Sequence, residues 1–264
     1  VIEGVLTATI MVGVVGLFVG VFLGIAGIKF AVKTDPREEE VLGSLPGNNC
    51  GGCGYAGCSG LAAAIVKGEA PVNACPVGGE AVAKVISGIM GVEAGESVRM
   101  TAFVKCQGDC DKAHTDYDYT GAGDCAMMSF VPGGGPKSCS FGCAGYGNCV
   151  KACPFDAIHV VNGIAVVDKD ACKACGRCVA ACPKGLIELV PYTAKIKVSC
   201  SSKDKGPVAM KACDTACIGC GLCARNCPVE AITVTDNLAH IDYDKCTACG
   251  TCVEKCPKKA IIKE

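Results

Sequence analysis

The sequence predicts an α+β protein in which one membrane-crossing helix precedes several small domains stapled by metal. Three observations point there. A run from Gly4 to Ile28 holds 25 residues without a charge. The 264 residues include 25 cysteines at metal-ligand spacings. The C-terminal half repeats itself at an offset of 74 residues.

Composition narrows the class. Dense cysteine in a short secreted chain suggests a disulfide scaffold, but the odd count and the spacings point to metals. Tryptophan is absent, aromatic residues make up 5% and there are 35 glycines. Such material fills an ordinary core poorly, so bound cofactors are expected to replace part of it. A net charge of −1 gives no field that would draw nucleic acid.

Residues 1–33 form the expected anchor. The charge-free run would make a helix about 37 Å long, enough to cross a bilayer with some tilt. A cleaved signal peptide carries its positive charge before a shorter apolar run. Here Glu3 precedes the run, and Lys29, Lys33 and Arg37 follow it. That asymmetry predicts a retained single span with the soluble part on the cytoplasmic side. Gly13, Gly16, Gly20, Gly24 and Gly27 fall on one face. Such a stripe predicts close packing against the helix of another subunit in a membrane complex. Asp35 to Glu40 reads as a short polar linker.

Residues 34–95 form a small domain around "NNCGGCGYAGCSG", Asn48 to Gly60. Cys50, Cys53 and Cys58 lie at C-x2-C-x4-C spacing, and Cys75 is the next cysteine, followed by proline. The stretch between, "SGLAAAIVKGE", predicts a helix that returns Cys75 to the loop. The four close one [4Fe–4S] site, and the glycines let backbone N–H groups approach the sulfurs. "GCGYAG" is a literal G-x-G-x-x-G, but interleaved ligands exclude a dinucleotide loop.

The repeated units occupy 139–192 and 213–264. "IHVV" and "IAVV" in the first, "ITVT" and "AHID" in the second, read as hairpin strands. The cysteine runs predict short helices. Cys217, Cys220, Cys223 and Cys227-Pro228, then Cys246, Cys249, Cys252 and Cys256-Pro257, follow the C-x2-C-x2-C-x3-C-P pattern of bacterial two-cluster ferredoxins. Three close thiolates hold one cluster and the fourth crosses to its neighbour. Cys217, Cys220, Cys223 and Cys256 therefore make one set; Cys246, Cys249, Cys252 and Cys227 make the next. Zinc favours paired C-x2-C halves without crossing.

The first unit departs from this pattern. Cys172, Cys175 and Cys178 are regular and take Cys153. Upstream, Tyr146 stands where the repeat offset demands cysteine. Cys139 is expected to substitute, giving Cys139, Cys143, Cys149 and Cys182. Residues 96–138 then read as a cysteine-containing linker and 193–212 as a connecting segment. Cys106, Cys110, Cys125, Cys200 and Cys213 remain. Four of them can hold a sixth cluster, with Cys106 matched to Cys200, Cys125 to Cys213 and Cys110 spare; inert thiols are the alternative. Five [4Fe–4S] clusters are thus expected, with a sixth open. The full fold class is one transmembrane helix, a single-cluster domain and two tandem ferredoxin-like βαββαβ units. His114, His159 and His240 stand apart as surface residues, and "DYDYTGAGD" lacks EF-hand spacing. No nucleophile–base pair or phosphate loop is present in the sequence, nor a flavin or NAD fingerprint.

The order of these parts resembles the B subunits of Rnf complexes, the membrane ferredoxin:NAD oxidoreductases. The likeness runs through the anchor, "CGGCGYAGC" with its later "CP", "GGEAV…GVE" from Gly78 to Glu93, and the ferredoxin-type runs. It covers essentially the whole chain and is most specific in the anchor plus the Cys50–Cys75 domain. Two double-cluster units match the long, clostridia-like form. The resemblance implies an electron-transfer subunit in the bacterial cytoplasmic membrane, with no complete active site of its own. It implies soluble ferredoxin as donor and integral subunits as acceptors, with flavins and NAD on other chains. Na+ or H+ translocation would be driven by the complex, and the Cys50 centre would be the exit nearest the membrane. A polyferredoxin-type relay in another membrane oxidoreductase, a hydrogenase or dehydrogenase, is the alternative. Lys258 and Lys259 are candidate docking charges for ferredoxin.

Overall fold

The computed structural model describes residues 2–29, 35–95 and 98–264; Lys33 and the boundaries expected at 34 and 96 lie outside them. Helix α1 (Ile2–Lys29) contains Ile10–Lys29, with a mean hydropathy of 2.5 and none of it buried. It is long and apolar enough to cross a membrane. A Cβ placed on Gly13, Gly16, Gly20, Gly24 or Gly27 would meet nothing within 4 Å.

The stretch expected as a polar linker is instead the start of helix α2 (Pro36–Ser44). Pro36 opens the first turn, and the Asp35 carboxylate accepts from the Arg37 N–H at 3.0 Å. The Arg37 guanidinium, and then that bond, hold Asp35 down at about 2. Helices α3 (Gly57–Val66) and α4 (Gly79–Met90) complete a three-helix domain. Its core buries Val41, Leu61, Ile65 and Ile86, and Cys53, Cys58 and Cys75 pack against it. Gly91, in the left-handed region, ends α4.

The first repeated unit contains β1 (Met100–Val104), α5 (Asn148–Ala152), β2 (Ile158–Val161), β3 (Ile164–Val167), α6 (Arg177–Ala181) and β4 (Ile187–Pro191). The second contains β5 (Ile196–Val198), α7 (Gly206–Ala212), α8 (Leu222–Arg225), β6 (Ile232–Thr235), β7 (Leu238–Ile241), α9 (Thr251–Glu254) and β8 (Ile261–Lys263). Each unit pairs an inner hairpin, β2–β3 or β6–β7, and an outer antiparallel pair, β1–β4 or β5–β8. The inner turns, Asn162-Gly163 and Asp236-Asn237, have positive φ at both residues, the conformation a two-residue hairpin turn needs.

The outer strands change the expected domain limits. The segment read as a linker supplies β1, with Ala102 opposite Leu189. The segment read as a connection supplies β5, with Lys197 opposite Ile262. Both strands complete their units, and spacing alone missed them because their partners lie far along the chain.

One close approach recurs at the repeat offset. A Cβ on Gly145 would come within 2.6 Å of the Gly163 carbonyl oxygen, and one on Gly219 within 2.9 Å of Asn237. In both units the ligand loop therefore lies backbone to backbone on the hairpin turn, and only glycine fits.

The two units dock through segment 105–115. His114 N–H donates to the Ala212 carbonyl at 3.0 Å and Asp214 N–H to that of Lys112 at 2.9 Å. Ser201 Oγ donates to Lys105 O at 2.8 Å, and Gln107 Nε2 to Lys259 O. Lys197, 2% exposed, pairs with Glu264 at 2.6 Å and sits 5.0 Å above the Phe103 ring. That cation is satisfied from both units at once.

Candidate metal centres

The cysteines gather into sets of four, most of them around small cavities. Cys217, Cys220, Cys223 and Cys256 line one, and Cys227, Cys246, Cys249 and Cys252 line the next. In the first unit Cys153, Cys172, Cys175 and Cys178 lie together. Burial pushes Cys178 up to about 11, and the other three thiols of that set add to the rise. In the three-helix domain Cys75 is raised by burial, with Cys50 and Cys53 adding to it. Cys58 opens α3, where its N–H donates to Asn49 Oδ1 at 2.8 Å.

The remaining sets differ from expectation. The cavity of Cys143, Cys149 and Cys182 is completed by Cys125, not Cys139. Burial, then the thiols of Cys143, Cys125 and Cys182, push Cys149 up to about 12. The loop bearing Cys125 is held by Asn148, which accepts from the Cys125 N–H at 3.1 Å and donates to Asp124 at 3.0 Å. Asn148 opens α5, so the helix that carries Cys149 also places Cys125.

Cys139 lines a separate cavity between the units with Cys106, Cys200 and Cys213. Cys106 thus stands with Cys200, as expected from their flanking runs, while Cys125 lines the other cavity and not that of Cys213. Cys139 and Cys213 stand 74 residues apart, the repeat offset, a signal already present in the sequence. The set has an internal two-fold character. Cys143 N–H donates to Cys106 Sγ at 3.4 Å, and Cys217 N–H to Cys200 Sγ at 3.3 Å. Cys143 and Cys217 are also related by the repeat. Cys110 is exposed and lines none of these cavities.

The residues present fit [4Fe–4S] groups. Among the described residues no three His, Cys, Asp or Glu side chains converge tightly enough for a single ion. The thiols stand around cavities instead, as a multi-iron core requires, where zinc draws four sulfurs to ~2.3 Å from one centre. Backbone donors are aimed at the sulfurs: Ala102 and Ala174 at Cys172, Leu186 at Cys182, Ala231 at Cys227, Ala260 at Cys256 and Gly78 at Cys75. Such bonds stabilise thiolate and set cluster potential. Lys184, half-buried, lines the Cys125 cavity, and the thiols of Cys139, Cys143 and Cys106 act against the burial that lowers it. Lys258 lines the Cys217 cavity, at the equivalent place in the repeat.

Comparison with known proteins follows the same division. A family model described as "Putative Fe-S cluster" matches residues 45–77. Two described as "4Fe-4S dicluster domain" match 135–195 and 216–260. The chain is 47% identical to the B subunit of the Na+-translocating ferredoxin:NAD+ oxidoreductase complex of Acetobacterium woodii, over 89% of this chain and 71% of that protein. It is 45% identical to the B subunit of the ion-translocating oxidoreductase complex of Methanosarcina acetivorans, over 87% of each. Against the B subunit of the proton-translocating ferredoxin:NAD+ oxidoreductase complex of Clostridium ljungdahlii it is 42% identical, over 88% of this chain and 82% of the relative.

Proposed function

Because the chain belongs to the family of B subunits of ion-translocating ferredoxin:NAD+ oxidoreductase complexes, we propose that it is a six-centre electron wire between a soluble donor and membrane subunits. When bound, [4Fe–4S] groups supply one-electron carriers at closely spaced points. The protein's own work is to hold them, order them and keep water away.

Six thiol sets would hold them: Cys50, Cys53, Cys58 and Cys75; Cys153, Cys172, Cys175 and Cys178; Cys125, Cys143, Cys149 and Cys182; Cys106, Cys139, Cys200 and Cys213; Cys217, Cys220, Cys223 and Cys256; Cys227, Cys246, Cys249 and Cys252. The observation that carries this reading is the fourth set, which lies between the units and draws two thiols from each side. Without it the ferredoxin-like units would be two separate relays. Its backbone donors, Cys143 and Cys217, are ligands of the sets on either side.

Soluble ferredoxin is the proposed donor, and membrane subunits are the acceptors, with the α1 glycine face as the packing surface toward them. The soluble part then faces the cytoplasm, and the wider complex couples transfer to Na+ or H+ movement. Iron analysis of the full chain tests the centres. Four irons per cluster predict about 24 per chain, against about 20 for five clusters. Cys125→Ala and Cys139→Ala should each remove about four, from different centres by EPR, while Cys110→Ser removes none. Loss of the same signal in both variants would sink the assignment. Failure of reduced ferredoxin to reduce the loaded chain would sink the donor reading.

A further inference from the structure

Gly52 lies in the ligand loop of the three-helix domain, between Cys50 and Cys53. Its φ is ordinary, so backbone conformation does not demand glycine there. Space does. A Cβ at Gly52 would lie 2.7 Å from the Cys175 carbonyl oxygen, 2.9 Å from its Cα and 3.1 Å from its carbonyl carbon. Ordinary contact begins near 3.4 Å, and all three atoms are backbone, so no side chain can swing aside.

The contact joins two ligand loops that are 123 positions apart in sequence. Cys175 belongs to the first ferredoxin-like unit, where its side chain is half-buried. The second unit supplies an internal control. Its equivalent residue, Cys249, is exposed. The half-burial of Cys175 is therefore not a property of the repeated unit. It accompanies the loop around Gly52.

We propose that Gly52 is a positioning residue that sets the separation between the single-cluster domain and the Cys153–Cys172–Cys175–Cys178 centre. Backbone against backbone is the closest approach two chain segments can make. Any side chain at position 52 must part the loops, while the thiols of both sets keep their own neighbours. Electron exchange across this junction would fall, but both centres would still be built. The proposal rests on the six-centre reading above.

The test uses the full chain, loaded and reduced with dithionite, in a graded series of Gly52→Ala and Gly52→Phe. Gly60→Ala is the control, since a Cβ there makes only ordinary contact, 3.8 Å from Tyr55 Cβ. Iron content and the EPR interaction between neighbouring reduced centres are read together. The expected result is unchanged iron in all variants, with the interaction at the Cys50 centre weakened in Gly52→Ala and lost in Gly52→Phe. Gly60→Ala should match the unsubstituted chain. An interaction that survives Gly52→Phe overturns the proposal. So does the loss of about four irons, because Gly52 would then be needed to build the centre rather than to place it. Unsubstituted chain that binds no iron overturns the six-centre reading itself, an outcome separable from both.

Discussion

Lys184 puts an ammonium beside thiols of two sets, Cys143 in one and Cys106 and Cys139 in the other. A cluster gains negative charge on reduction, so a nearby cation in a poorly hydrated site favours the reduced form. Lys184→Met should therefore lower the potential of the Cys125–Cys143–Cys149–Cys182 centre. An ion-pair term of about 1–2 kcal/mol corresponds to roughly 40–90 mV for one electron. EPR-monitored redox titration, with iron content as the check, reads this shift; an unchanged potential would remove Lys184 from the tuning role. Sequence alone makes Lys258 a candidate docking charge, yet it lines the Cys217 cavity. A lysine after Cys-Pro looks the same in the sequence whether it faces solvent or a cofactor. Only the fold, in which it lines that cavity together with Val234 and Ala239 of the hairpin, tells the two apart.

Among the elements, the loop that carries Cys125 depends most on a single side chain. Asn148 accepts from that loop through one amide atom and donates to it through the other. Asn148→Ala should remove both bonds at a local cost of about 1–3 kcal/mol. Chelator should then release about four irons faster than the rest, and Asn148→Asp, which keeps the acceptor, should be intermediate. Uniform release from all centres would refute the clamp. The inner hairpins and the short helices were legible, because their signals are local: alternating apolar residues, a two-residue turn and the cysteine triplets. Cys125 was not. Tyr146 announced a missing ligand, but the thiol that completes the cavity lies 21 residues upstream, where spacing carries no information. The β-like runs before Cys106 and Cys200 were legible, but their partners were not, since β1 pairs with β4 from far along the chain.

At the scale of the molecule, the 74-residue repeat relates the inner hairpins, the short helices and the regular cysteine runs of the two units. The family and the fold class were legible from the anchor, the Cys50–Cys75 domain and the ferredoxin-type runs taken together. The join between the units was only half legible. Cys106 and Cys200 could be matched from their flanking strands, but Cys139 was assigned to the nearer run because that run lacked a ligand. Cys213, which lines the same cavity as Cys139, stands at the repeat offset and outside any ferredoxin pattern. The arrangement also has a consequence for how the protein is made. Each set inside the second unit draws its ligands from within that unit and can fill as soon as the unit folds. The set proposed between the units spans Cys106 to Cys213, and its cavity does not exist until both have folded and met. It should therefore be the last centre to mature. Under limiting iron and sulfide its EPR signal should lag the others, and chains caught before that point would carry filled centres on both sides of an open circuit.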